Sequence, residues 1–181
     1  MKHIAFGVAL IASVAGMSIT PAIAHAQCSA IGAPANCGVP GSVSMTAGRV
    51  VRLQMSPAST SLTAPTPADF DAGFNATVGP TLTVSANAAW TLHIRSVAAV
   101  WTASNTSPGA PARTTKPASD LLWSTVSTGG FAGLTTTDAN LVTGSAIAAN
   151  VTNLYFQTLY NWTLGTPGNY SLAIVLTLTA P

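Results

Sequence analysis

The chain has 181 residues, 48% of them apolar and only 6% charged, with six Lys and Arg against four acidic residues and a net charge of +2. A chain so nearly neutral carries no electrostatic footprint for nucleic acid or for an acidic membrane surface. High hydrophobicity with low charge also excludes disorder, which pairs the opposite values, and the length suits one domain.

The N-terminus reads as an export signal. Met1-Lys2-His3 is a short basic start, an apolar run follows to Ile19, and Ala24-His25-Ala26 offers small residues at the outer positions of the triplet. This order predicts a signal peptide over 1–26, cleaved between Ala26 and Gln27. The apolar run falls short of the roughly 20 residues of a spanning helix, so the mature chain is expected to lack a transmembrane anchor. It is expected to be secreted or at the cell surface, the periplasm included. Gln27 stands before Cys28, where lipidation needs a small residue.

Residues 27–47 read as an irregular N-terminal extension with Pro34, Gly38, Pro40 and Gly41. In an exported chain its two cysteines, Cys28 and Cys37, predict one disulfide. Closing so short a loop contributes about 2–3 kcal/mol. No further Cys or nearby His completes a metal site, and none is expected. Val43 and Met45 alternate with Ser42, Ser44 and Thr46, the pattern of a candidate donor strand.

Residues 48–181 read as strands and turns. Arg49–Met55 places Val51, Leu53 and Met55 on one face, and Ser59–Thr63 is a candidate edge segment. Leu82, Val84 and Ala86 lead into Asn87-Ala88-Ala89, and Trp90, Leu92 and Ile94 lead out. This reads as a hairpin, with Asn tolerating a left-handed loop backbone. Shorter strands are predicted near Val97–Thr102, at Leu121–Thr125 and at Asn140–Thr143. Ala103–Ser119, with Pro108, Pro111 and Pro117, reads as a long mobile connection. Leu154, Phe156, Tyr160, Trp162 and Leu164 share a parity, as do Tyr170, Leu172, Ile174, Leu176 and Leu178. Gly165-Thr166-Pro167-Gly168 between them predicts a second hairpin. No sustained helical period occurs, so the fold class is all-β and antiparallel, with a β-sandwich favoured over a barrel.

Catalytic chemistry is sparse. After signal removal one histidine remains, His93, and its parity opposes Trp90, Leu92 and Ile94, so it is expected to face outward. No G-x-S-x-G elbow, Walker motif, dinucleotide fingerprint or zinc pattern occurs. Asp69 and Asp71 sit in Pro67–Gly73, which reads as a turn, with oxygen ligation of Ca²⁺ the weaker alternative. No catalytic residue and no cofactor is therefore assigned. Trp90 and Trp162 follow the apolar parity and are predicted to be core, which leaves Trp101 and Trp123 as candidate ligand-stacking residues.

The order of Leu82–Ile94 with its Asn87 turn, Asp120–Ser124 with Trp123, and Asn161–Thr177 with Pro167-Gly168-Asn169-Tyr170 resembles exported bacterial immunoglobulin-like sandwich domains of surface and fimbria-like proteins. The Pro-Gly-x-Tyr turn is similar to one in which the tyrosine hydroxyl ties a corner. Here Tyr170 starts the last predicted strand, whereas that corner precedes the penultimate one. The resemblance implies a structural or adhesive protein that is not an enzyme, with copies of itself or other envelope proteins as partners, as in a pilin-like filament assembled by strand addition. The alternative is a secreted carbohydrate-binding or other ligand-binding module, and a third reading is a hydrolase using His93.

Overall fold

The computed structural model describes residues 29, 31–32, 36–39, 41–105 and 112–181. They fall into two units, Met1–Thr46 and Ala47–Pro181. In the first, the predicted signal peptide and Cys28 lie outside the described residues. Its described residues form no helix or strand, Cys37 is exposed, and the Ile31, Val43 and Met45 side chains are almost wholly so.

The second unit is built from antiparallel β-sheets. Its strands are β1 (Val51–Ser56), β2 (Phe74–Ala86), β3 (Trp90–Ser96), β4 (Thr102–Ser104), β5 (Leu121–Ser124), β6 (Ala132–Gly133), β7 (Ala139–Gly144), β8 (Ile147–Leu159), β9 (Asn169–Ser171) and β10 (Ile174–Thr179). A five-stranded sheet runs β1-β2-β8-β5-β6, a three-stranded sheet runs β10-β3-β7, and β4 pairs with β9. Both larger sheets turn their apolar faces to one core. Leu82, Val84, Leu121, Leu154 and Phe156 come from the first, and Trp90, Leu92, Ile94 and Leu141 from the second. Strict alternation puts Thr91, His93 and Arg95 on the other face of β3, half-buried.

Neither predicted hairpin forms. β2 pairs with β1 and β8, whereas β3 pairs with β10 and β7, so Asn87–Ala89 carries the chain from one sheet to the other. Parity does not distinguish a hairpin from such an arch, because both keep the apolar residues of the two strands on the buried side. Asn87 does not adopt a left-handed backbone, since no non-glycine residue among those described has positive φ. Its side chain instead secures the entry to β1. The amide oxygen accepts from the Val50 N–H at 2.7 Å, and the amide nitrogen donates to the Gly48 carbonyl at 2.9 Å. Likewise β8 and β10 lie in different sheets, and the predicted strand from Tyr170 breaks at Leu172-Ala173 into β9 and β10.

Other departures have local causes. Ser59–Thr63 joins no strand. A short helix, α1 (Pro67–Ala72), replaces the expected turn. Thr66 and Asp69 form a reciprocal capping box, Pro67 is the first helical residue, and Gly73 ends the helix at φ 82°. The 103–119 connection is well anchored in its second half. Trp101 N–H donates to the Lys116 carbonyl and Ala118 N–H to the Ala99 carbonyl, both at 2.8 Å. Ala112, Lys116 and Ala118 are buried. Pro108 and Pro111 lie outside the described residues. Gly144 sits opposite Trp90, where any Cβ would lie 2.5 Å from the indole ring.

Tyr170 ties a corner. Its hydroxyl donates to the Thr166 carbonyl at 2.8 Å and accepts from the Arg113 N–H at 2.9 Å. In urea unfolding, Leu92→Ala, which empties a fully buried site, should lower stability by about 2–5 kcal/mol. Tyr170→Phe should lower it by about 0.5–1.5 kcal/mol.

Candidate functional site

The two flanks of the paired sheets differ. On one flank the chain closes the core itself. The segment after β6 inserts Leu134, which is fully buried. Leu134 N–H donates to the Leu121 carbonyl at 2.9 Å, and Ser96 N–H donates to the Thr135 carbonyl at 2.8 Å. One short segment is thus hydrogen-bonded to both sheets.

On the other flank, β1 is the edge of the five-stranded sheet and β10 is the edge of the three-stranded one. The two strands approach within 8 Å, Cα to Cα, but are not paired as strands. Their core-facing residues show what is missing. Val51, Leu53 and Met55 of β1, and Ile174, Leu176 and Leu178 of β10, pack on the core yet remain partly exposed. One strand further in, Leu82, Val84, Leu92 and Ile94 are essentially inaccessible. A cavity of about 540 Å³ opens at the Met55–Ile174 end of this seam, between Leu62 and Tyr170, and reaches the core residues Trp101, Leu121 and Phe156. The geometry offers unpaired backbone groups along two edges and apolar side chains between them. Such a site takes an extended chain with alternating apolar residues.

The candidate stacking tryptophans are not exposed. Trp101 is 4% exposed and Trp123 8%, so both are core residues. The Trp101 indole N–H donates to the Pro117 carbonyl at 3.0 Å. Conversely Trp162, expected in the core, is 62% exposed. Its parity misleads because β8 ends at Leu159, before Trp162 is reached. Val43 and Met45 lie in the first unit, exposed and outside any strand. His93 sits across from Thr177 and Asn140, with no serine or carboxylate in register beside it.

Lys116 is a buried cation that composition alone did not single out. Its ammonium donates to Asp120 Oδ2 and to the Leu159 carbonyl, both at 3.0 Å, and lies 5.7 and 5.5 Å from the Trp101 and Tyr160 ring centres. Paired and caged in this way, it fixes the 103–119 connection to the end of β8. Asp69 and Asp71 hold no shared site. Asp69 Oδ2 accepts from the Thr66 backbone N–H at 2.6 Å and from its hydroxyl at 2.7 Å, while Asp71 Oδ1 accepts from the Trp162 indole. Among the described residues no group of three His, Cys, Asp or Glu could hold a metal ion.

Comparison of the sequence with protein-family models finds no match, and no curated protein is significantly similar to it. Among the described residues no helix is long and apolar enough to cross a membrane.

The Thr66 hydrogen bonds, first the backbone and then the side chain, hold the Asp69 carboxyl below its ordinary 3.8, with Asn75 adding to the effect. A depressed folded-state value stabilises the cap above the unfolded value, and this is lost as pH falls through the folded one. As pH falls below about 4, amide protection in α1 relative to the unstructured rate should therefore drop in the native chain and change less in Asp69→Asn.

Proposed function

We propose that the mature chain is an exported, non-catalytic surface or filament subunit, and that it assembles by accepting an extended segment of a neighbouring copy into the seam between β1 and β10. The observation that carries this reading is the pair of adjacent unpaired edges whose core-facing side chains stay half-exposed.

The strand order supports an incomplete immunoglobulin-like sandwich. In that fold one sheet runs A-B-E-D and the other C-F-G. The run β1-β2-β8-β5 corresponds to the first sheet. In the second, β3 takes the place of C and β10 that of F. The place of G, beside β10, has no strand of this chain among the described residues, and β7 lies on the far side of β3. Tyr170 supports the same assignment. A tyrosine corner belongs between strands E and F, and Tyr170 lies between β8 and β10. On this reading β10, the last described strand, takes the penultimate place of the fold, in keeping with the position of Tyr170.

The extension supplies a fitting occupant. Val39, Val43 and Met45 all fall on odd positions and all are exposed. Laid along the seam as a strand, these three side chains would point to one face, towards Leu53, Leu176 and their neighbours. The predicted Cys28–Cys37 disulfide would brace the start of this segment, and the uncharged, Thr-rich outer faces suit close packing of copies.

Electron microscopy of the purified mature chain should show filaments or chains of copies. Deleting 27–46 should leave a monomer whose melting temperature rises when a synthetic peptide of residues 31–46 is added. A monomeric full-length chain, or polymers unaffected by the deletion, would sink the proposal.

A further inference from the structure

A second concavity lies beyond Leu62 and Tyr170, between α1 and the connection from β8 to β9. Its volume is about 470 Å³, within the roughly 300–1,000 Å³ of small-molecule pockets. The walls include Phe70, Trp101, Tyr160, Thr158 and Asn169. Trp162 stands beside it, flanked in sequence by the lining residues Tyr160 and Leu164.

Trp162 is held out of the core by a dedicated set of contacts. Phe70 stacks on it, with centroids 4.8 Å apart and planes at 29°, and Phe70 also meets Tyr160 at 5.3 Å. The indole N–H donates to Asp71 Oδ1 at 3.0 Å. The turn that carries it is tightly bonded. Asn161 Oδ1 accepts from both the Thr163 N–H and hydroxyl, and the Asn161 carbonyl accepts from the Gly165 N–H at 2.7 Å. Gly165 is where the turn closes over Phe70. A Cβ there would lie 2.5 Å from the Phe70 ring. An aromatic side chain fixed in orientation and left 62% exposed is preorganised to receive another flat apolar surface.

The charges around the pocket are already engaged. Lys116 is committed to Asp120 and the Leu159 carbonyl, Asp69 to Thr66, and Asp71 to Trp162. No free ion awaits a charged ligand at this place. What remains is aromatic surface with the neutral Asn169 amide and Tyr160 hydroxyl, since the Thr166 and Tyr170 hydroxyls bond each other. That combination matches a molecule with apolar faces and many hydroxyls.

We propose that this pocket binds a neutral carbohydrate, with Trp162 stacking on one sugar ring and the Phe70–Tyr160 wall receiving the next. The proposal does not require strand-mediated assembly, because Phe70, Tyr160 and Trp162 lie outside the seam cavity, although the two cavities share Leu62, Trp101 and Tyr170.

The test uses the mature full chain, titrated with mannotetraose, cellotetraose and chitotetraose while the tryptophan indole N–H resonances are followed. At least one sugar should shift the Trp162 resonance saturably, assigned by its loss in Trp162→Phe. Trp162→Ala should weaken binding by about tenfold or more with the fold retained and only a small fall in melting temperature, since it loses the Asp71 bond and the Phe70 stack but no core contact, and Phe70→Ala should weaken binding as well. Failure of all three sugars to saturate would overturn the proposal. So would equal binding by Trp162→Ala, or saturation by a proline-rich decapeptide and by no sugar.

Discussion

The fold depends on the burial that β2 and β3 share across the Asn87–Ala89 arch. Leu82, Val84 and Ala86 on one side of it, and Trp90, Leu92 and Ile94 on the other, are all buried in one cluster. Each of the two strands is flanked on both sides, β2 by β1 and β8 and β3 by β10 and β7. The three residues between them form an arch, so the two central strands lie in facing sheets; β1 and β8 are placed by pairing with β2, β7 and β10 by pairing with β3, and β5 by pairing with β8. Asn87 makes the arch rigid by holding Gly48 and Val50, so the start of β1 is set by the same residue that turns the chain.

The alternation of apolar residues was legible because each strand has one face on the core. The inward residues of β1, β3 and β10 and the opposite face of His93 follow from period two alone. Which strand pairs with which did not follow, because a hairpin and an arch leave identical parity. The seam was hidden for the same reason. Val51, Leu53, Met55, Leu176 and Leu178 have the sequence signature of ordinary core residues, and only the missing neighbour makes them half-exposed. The aromatic end was misread by extending a period past the end of β8, which promoted Trp162 to the core. Trp101 and Trp123 lay outside any clear alternation, and burial of both depends on long-range packing. The capping box of α1 was present as Thr66-Pro67-Ala68-Asp69 with Gly73 after it, but six residues are too few to show a helical period.

The low charge acquires a physical sense in this arrangement. Of the five cations of residues 47–181, Lys116 and Arg113 bind Asp120, and Arg95 lies 3.4 Å from Asp138. The charged side chains are thus largely spent inside the unit, which leaves Thr, Ser and Asn on the outer faces of the sheets. Such surfaces lack the repulsion that keeps like-charged proteins apart, a property suited to the proposed packing of copies and to stacking against neutral ligands alike.

The contrast between the two flanks also sets a valence. Where Leu134 and Thr135 stitch the sheets together, the chain itself fills the space between β5 and β3, although the outer edges of β6 and β7 are unpaired as well. The β1–β10 flank combines an unpaired edge on each sheet with half-exposed core side chains. A subunit with a single acceptor flank and a single extended segment joins its neighbours head to tail, through a heterologous contact that no two-fold axis closes. Under the proposed assembly, one donor segment and one acceptor seam per copy make growth linear.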